Sequence, residues 1–392
     1  MEQRAYTQRQ FLTFPDVIKI DRAVFYQISP IPIPVPFKDG TGGVRSASLF
    51  GSWIKLYDGD GVCGEGPCTR LVWDFFVPIL LREEGKTIEE WRNFLFWQIR
   101  NFGYQSAHVS EMGALDFVLL DLLANRAGKP LHRFLGARRD WSNVYKGGGS
   151  VLLSDEELVA DLVRFKEEGY RQTKFKIGGD PTDWRGDLRR LEKARAALGD
   201  DFGIAVDANQ GWSARTAFEF SKAAAPLHMS WFEEPVHAYD MDALDELRRL
   251  LDEDGLRLEI AMGESVRSYH TFAEYARHGV DHLQPGNARM CSIGENMRVE
   301  RMAREKGLRC TGGGFTFQHV VMGTLYSEDS MIEYHQPIME PLLPYFEVVS
   351  RVENGRFYLP DVPGLPVKMN FEKLAGDGLL DAVLMKKRGE PV

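Results

Sequence analysis

From residue 141 onward, short apolar runs alternate with amphipathic stretches in a regular order. The runs are NVYKGGGSV, QTKFKIG, GIAVDAN, MSWFEEP, LEIAMGES, DHLQPG, LRCTGGG and SMIEYH. Stretches of helical periodicity lie between them, among them 154–168, 214–225 and 241–251. The first of these opens on Ser154 with Glu157 three residues on, the spacing of a capping box. Eight successive strand–helix units predict an α/β fold, a (β/α)8 barrel of the TIM type. A doubly wound open sheet is the competing arrangement, but open sheets seldom repeat so regularly over eight units.

The first 140 residues have a different texture. Residues 17–27 alternate as a strand does, and the segment 31–43, dense in proline and glycine, predicts an exposed loop. SLFGSWIKLYDGDGVCGEG reads as two strands joined at Asp58-Gly59-Asp60-Gly61, a hairpin signal. Helical periodicity follows over 88–104 and 108–135, with Gly128 and Pro130 as stop signals. The expectation is an α+β domain over 1–140, the barrel over 141–355, and a C-terminal segment, 356–392, that returns to the first domain.

Composition narrows the functional classes. Apolar residues make up 44% and charged residues 27%, a globular balance. A net charge of −9 argues against a nucleic-acid partner, which would favour a basic face. It leaves room for a small anion, because a divalent cation reverses the field of an acidic site. No apolar run approaches the ~20 residues a membrane helix needs, and residues 1–15 lack the apolar core of a secretory signal. Four cysteines with no CxxC pair fit a reducing compartment. The expectation is a cytoplasmic protein without a membrane partner.

Candidate chemistry sits where the apolar runs end, because a barrel builds its site at the C-terminal ends of its strands. Asp207, Glu233 and Glu264 close three consecutive runs. Neighbouring strands lie under ~5 Å apart, so the three carboxylates can converge. Converging carboxylates repel unless a cation sits among them, and all-oxygen ligation suits Mg2+ better than Zn2+. Each could instead be a helix N-cap following its strand. Glu234, beside Glu233, falls on the opposite face by alternation, and Asn209 reads equally as a supporting or a turn residue. Lys174 and Lys176 flank Phe175, so both lysines share one face and point into the barrel. Burial there is costly for lysine without a task. Beside a cation and a second ammonium its pKa falls and it can act as a base. Two solvated lysines at a frayed strand end are the alternative.

Lys-x-Lys, Asp-Ala-Asn, Trp-Phe-Glu-Glu-Pro and Gly-Glu, in that order, together with ALDFVLLDLLANRAGKPLHRFLGA at 114–137, resemble the mandelate racemase subgroup of the enolase superfamily. The resemblance runs from about Val17 to PDVPGLPV. It implies that the N-terminal domain is a capping domain and that Asp207, Glu233 and Glu264 hold Mg2+. It also implies Lys176 as the base, Lys174 assisting at the substrate carboxylate, and Glu333 hydrogen-bonding that carboxylate. The subgroup pairs an Asp ending strand six with a His ending strand seven. Here Gly286 stands at the Asp position, and glycine, Gly312 or Gly313, at that of the His. His319 is either a displaced catalytic acid or a helix-packing or surface histidine. Arg289 fits an arginine common in the strand-six turn and reads as structural.

The capping loop 30–45 would close over the barrel mouth as a lid, with Phe37, Lys38 and Arg45 as substrate contacts; a plain surface loop is the alternative. The expected activity is Mg2+-dependent removal of an α-proton from a small carboxylate substrate, leading to dehydration of a sugar acid. Epimerisation, or a lactone cycloisomerase reaction, is the alternative within the superfamily. A non-catalytic relative that binds metal or ligand is the alternative from another class. N-succinylamino-acid racemase or muconate-lactonizing chemistry would require a lysine on strand six, and HLQPGNAR has none. Such barrels often form symmetric homo-oligomers.

Overall fold

The structure, a computed structural model, describes residues 11–47, 51–286, 289–348 and 350–390. Eight parallel strands form a closed barrel: Trp141–Gly148, Gln172–Lys176, Gly203–Asp207, Phe232–Glu233, Ile260–Met262, His282–Leu283, Arg309–Gly312 and Met331–His335. Each pairs with the next, and the eighth pairs with the first through Glu333 opposite Tyr145. The barrel predicted from the repeating units is present, and the open sheet is excluded by that closing pair. Helices follow the strands as the periodicity requires. Asp155–Glu167 carries the capping box of Ser154 and Glu157, in which each satisfies a backbone donor of the other. Ala214–Ala224 and Met241–Glu253 begin where expected.

Alternation sorts the barrel side chains into two cores. Phe175, Ile204 and Phe232 face outward into the large core beneath the helices. Tyr145, Ala205, Trp231 and Ala261 face inward and form a small separate cluster, the apolar floor on which the site rests.

The N-terminal residues build a four-stranded antiparallel sheet in the order Leu380–Lys387, Arg22–Ile28, Ser52–Tyr57, Cys63–Pro67. Leu380–Lys387 thus supplies the edge strand beside Arg22–Ile28. Before that, Arg351–Glu353 and Arg356–Tyr358 form a hairpin paired to the first barrel strand at Ser142, so the chain stays with the barrel through Tyr358. The turn after Tyr57 is held by the Asp58 carboxylate, which accepts the Asp60 and Val62 N–H groups. Helix Ala107–Arg126 packs between this sheet and the barrel. Its Asp116 forms a buried bidentate pair with Arg92 at 2.6 and 3.0 Å and also accepts the N–H of Ile293 on a barrel helix.

Three expectations need correction. The helix expected over 88–104 ends as α-helix at Ile99, and that over 108–135 breaks at Arg126, before Gly128 turns the chain at φ +62°. The segment 31–43 is not all loop. Pro32–Phe37 is a strand paired with Arg45–Ala47, though only at Pro32–Ala47 and Phe37–Arg45. Proline at every second position removes alternate N–H donors but fixes an extended φ, which permits a sparsely bonded ribbon. Residues 48–50, within the expected hairpin, and the first ten residues lie outside the described residues. Among the described residues, no helix is long and apolar enough to cross a membrane.

Candidate active site

Parallel pairing places Lys176 opposite Asp207, and Asp207 opposite Glu233, in one row across three strands. Glu264 joins from beyond the fifth strand. Gly263 bends the chain there at φ +137°, where a side chain would run into the Phe272 ring. Ligand oxygens of Asp207, Glu233 and Glu264 all lie within 4.8 Å of one another. Asp207 and Glu233 are buried, which argues against simple helix caps.

Lys174 and Lys176 are also buried, on the inward face that alternation predicted. Lys176 Nζ is 2.5 Å from Asp207, and Lys174 Nζ pairs with Glu233 and lies 3.4 Å from Asp207 and 3.3 Å from Glu333. Four carboxylates against two ammonium groups leave two negative charges, which one divalent cation would cancel. Burial, reinforced by neighbouring carboxylates, raises the pKa of Glu233 and of Glu264. Asp207 goes the other way: burial would raise it, but Lys176 and Lys174 outweigh burial. An all-oxygen, doubly negative cluster is the donor set of a hard divalent cation.

The fall in the pKa of Lys176 was expected beside a bound cation; the protein's own groups act the other way. Burial depresses it, but Asp207 outweighs burial and holds it above the ordinary lysine range. Lys174 is held up in the same way, by Glu233 and Glu333 against burial.

Supporting contacts fix the carboxylates. Asp207 accepts the Asn209 N–H at 2.8 Å and its side-chain amide at 3.3 Å. Glu233 accepts the Trp231 indole N–H at 3.2 Å and the Gln284 amide at 2.5 Å. Glu234 faces away and accepts both bonds from Gln210. Glu333 stands close above Gly147, where a Cβ would collide with its carboxylate.

A cavity of about 650 Å³ opens over this cluster, walled by Lys176, Glu233, Glu264 and Glu333 below and by Phe37, Asp39 and Arg45 of the capping ribbon. The ribbon lies at the C-terminal mouth. Asn209 accepts the Gly40 N–H at 3.3 Å, and its carbonyl accepts the Thr41 hydroxyl at 2.9 Å. A Cβ at residue 40 would meet the Ile177 carbonyl at 2.5 Å, so glycine alone allows this approach. Asn209 therefore joins the carboxylate cluster to the capping ribbon. Lys38 is not on the cavity wall; its backbone is tied to Ser150 and Val151 instead.

His319 is also off the cavity wall. It lies buried in helix Thr316–Gly323, behind Gly312, and burial depresses its pKa to about 3. His335 is on the wall, edge-on to Phe37 at 5.4 Å. It stands two residues past Glu333, so alternation along MIEYH would have found it. Gln284 closes an apolar run as the carboxylates do and was legible by the same rule. Arg267 sits in an irregular loop where no pattern points to it.

A closed barrel with a capping sheet and a carboxylate cation site at the strand ends defines a class of metal-assisted enzymes. The chain belongs to the enolase superfamily, in the mandelate racemase/muconate lactonizing enzyme family: residues 157–374 match the family described as enolase C-terminal domain-like. It is 29% identical over 288 residues to L-talarate/galactarate dehydratase of Salmonella typhimurium, covering 73% of this chain and 70% of that one. It is 27% identical over 361 residues to 3,6-anhydro-alpha-L-galactonate cycloisomerase of Streptomyces coelicolor, covering 88% and 95%. Among solved structures, a racemase from Streptomyces coelicolor A3(2) with bound magnesium superposes with a TM-score of 0.80 at 26% identity, covering 92% and 99%.

Proposed function

We propose that this chain removes the α-proton of a sugar acid with Lys176, in the presence of Mg2+, and expels a β-hydroxyl to give the dehydrated acid. The observation that carries the reading is the pair of buried lysines beside three carboxylates whose ligand oxygens converge within 4.8 Å. Two buried ammonium groups are costly in a protein that only binds metal, which argues against a non-catalytic relative.

Asp207, Glu233 and Glu264 would hold Mg2+, which would supply positive charge to the substrate carboxylate. With Asp207 engaged as a ligand, the group that keeps Lys176 charged would be weakened, and the neighbouring Lys174 ammonium would lower it toward a usable base. Lys176 takes the α-proton and, as the ammonium, returns it to the departing β-hydroxyl, which leaves as water; the resulting enol tautomerises to the 2-keto-3-deoxy acid. Lys174 faces the carboxylate oxygens as negative charge moves onto them, and Glu333 holds Lys174 and the substrate end in place. Phe37 and Arg45 cover the mouth and limit water.

Gly286 at the Asp position, and Gly312 or Gly313 at that of the His, leave the subgroup's second acid/base pair without its residues, which disfavours two-base racemisation. The similarity to a sugar-acid dehydratase supports elimination. Similarity over 88% of the chain to a cycloisomerase supports ring chemistry as the second reading. Incubating the Mg2+-loaded protein with a panel of sugar acids separates them: a 2-keto-3-deoxy product supports dehydration, an isomer of unchanged mass supports cycloisomerisation, and no turnover of any acid contradicts both.

A further inference from the structure

The cavity wall carries four arginines: Arg45, Arg70, Arg267 and Arg289. Two have carboxylate partners, Arg45 with Asp39 at 3.6 Å and Arg70 with Asp74 at 3.0 Å. Arg267 and Arg289 differ: among the described residues no carboxylate lies within 4.0 Å of either. Arg267 is partly buried and is aimed by uncharged groups, its Nε donating to Ser110 of the capping helix at 2.8 Å. Burial and the nearby Arg289 charge both disfavour its charged form. Glu111, also on the wall, is engaged by the Thr69 N–H at 2.8 Å, and burial raises its pKa. Two neighbouring guanidinium groups facing one cavity without a counter-ion repel each other, and a bound anion would relieve that repulsion.

The placement of Arg289 follows from Gly286. A Cβ at residue 286 would lie 3.2 Å from Arg289 Cγ and 3.3 Å from the Gly313 carbonyl oxygen. Glycine here lets the arginine stem lie across the end of strand six. Gly286 removes the negative charge of the aspartate that the resemblance leads one to expect, while Arg289, expected as a structural residue of the same turn, stands on the cavity wall. Arg267 stands three residues past Glu264, so its Cα is within ~11 Å of that ligand's. The wall thus carries Lys176 among the carboxylates at the metal end and, separately, the arginine pair.

We propose that Arg267 and Arg289 form a second anion subsite, so that the substrate is a hydroxy acid with an anionic group at each end. One carboxylate meets Lys174 and the metal cluster, and the distal oxyanion, a carboxylate or a phosphate, meets the two arginines. Guanidinium binds either group through paired N–H donors. The inference rests on the proposed reading of the metal end, and binding rather than turnover tests it.

Calorimetry in the Lys176→Met background with Mg2+ measures affinity for galactarate, 6-phosphogluconate and gluconate without consuming them. The expected result is that at least one of the two acids with an anionic group at each end binds about tenfold or more tighter than gluconate. A gain for galactarate alone marks a distal carboxylate, and a gain for 6-phosphogluconate alone a distal phosphate; both support the subsite. Arg289→Met and Gly286→Asp should each remove about tenfold of that gain while leaving gluconate affinity within about twofold. Arg267→Met should do the same; if it unfolds the protein by losing Ser110, the other two variants decide, since Arg289 is exposed. Galactarate and 6-phosphogluconate that bind no tighter than gluconate, or a gain that survives Arg289→Met, overturn the inference. Either acid binding with this arginine dependence but never turned over by the wild-type enzyme leaves the subsite standing and contradicts the proposed reaction.

Discussion

At the scale of single residues, the two lysines are separable. Lys174 pairs with Glu233, Glu333 and Asp207, whereas Lys176, among the described residues, pairs with Asp207. Lys174→Ala should therefore raise KM for the sugar acid and lower kcat while keeping measurable α-proton removal, because the base remains. His319 lies behind Gly312 and off the cavity wall, so His319→Ala should change turnover by less than about threefold, its cost appearing in thermal stability. Loss of turnover with intact stability would return His319 to the role of acid. The carboxylates carry a pH prediction. Burial and like charge raise Glu233 and Glu264, and a metal ligand must be ionised. Protons and cation thus compete: Mg2+ binding should release protons, and its affinity should fall as pH is lowered. Titration calorimetry in buffers of different ionisation enthalpy checks the sign; proton uptake on binding would contradict it.

At the scale of elements, the capping ribbon and the buried helix pair make different predictions. Phe37 and Arg45 face the cavity but touch none of the three metal carboxylates, so Phe37→Ala and Arg45→Ala should shift sugar-acid KM or preference with Mg2+ affinity within about twofold. Steady-state kinetics with a metal titration tests this. Asp116 holds Arg92 and the Ile293 N–H where capping helix meets barrel. Asp116→Ala should cost ~3–5 kcal/mol, because it strands a buried guanidinium, and the denaturant midpoint should fall accordingly. Elements were legible where one periodicity ran unopposed, as in the strands and helices after residue 141. They were less legible at 31–43, where proline suppresses the usual strand signal without preventing extension. The inward pair of lysines followed from alternation alone. The raised pKa of Lys176 did not, because it depends on a carboxylate 31 residues away. Arg267 depends on loop geometry that no local pattern encodes.

At the scale of the whole molecule, the barrel supplies a rigid row of charges and the capping domain closes it through Asn209, Gly40 and Thr41. The cluster's two uncompensated negative charges make the cation part of the site's electrostatic balance. Exhaustive chelation should abolish turnover and return of Mg2+ should restore it, while the circular dichroism spectrum stays that of a folded barrel. The measurement that bears most directly on the central claim is α-proton exchange in D2O with Mg2+, followed by NMR for wild type and Lys176→Met on a panel of sugar acids. Lys176→Met should lose exchange by a factor of about 10³ or more while binding Mg2+ as wild type does. Exchange in Lys176→Met at the wild-type rate, or wild-type enzyme that exchanges the α-proton of none of the panel, would contradict the account.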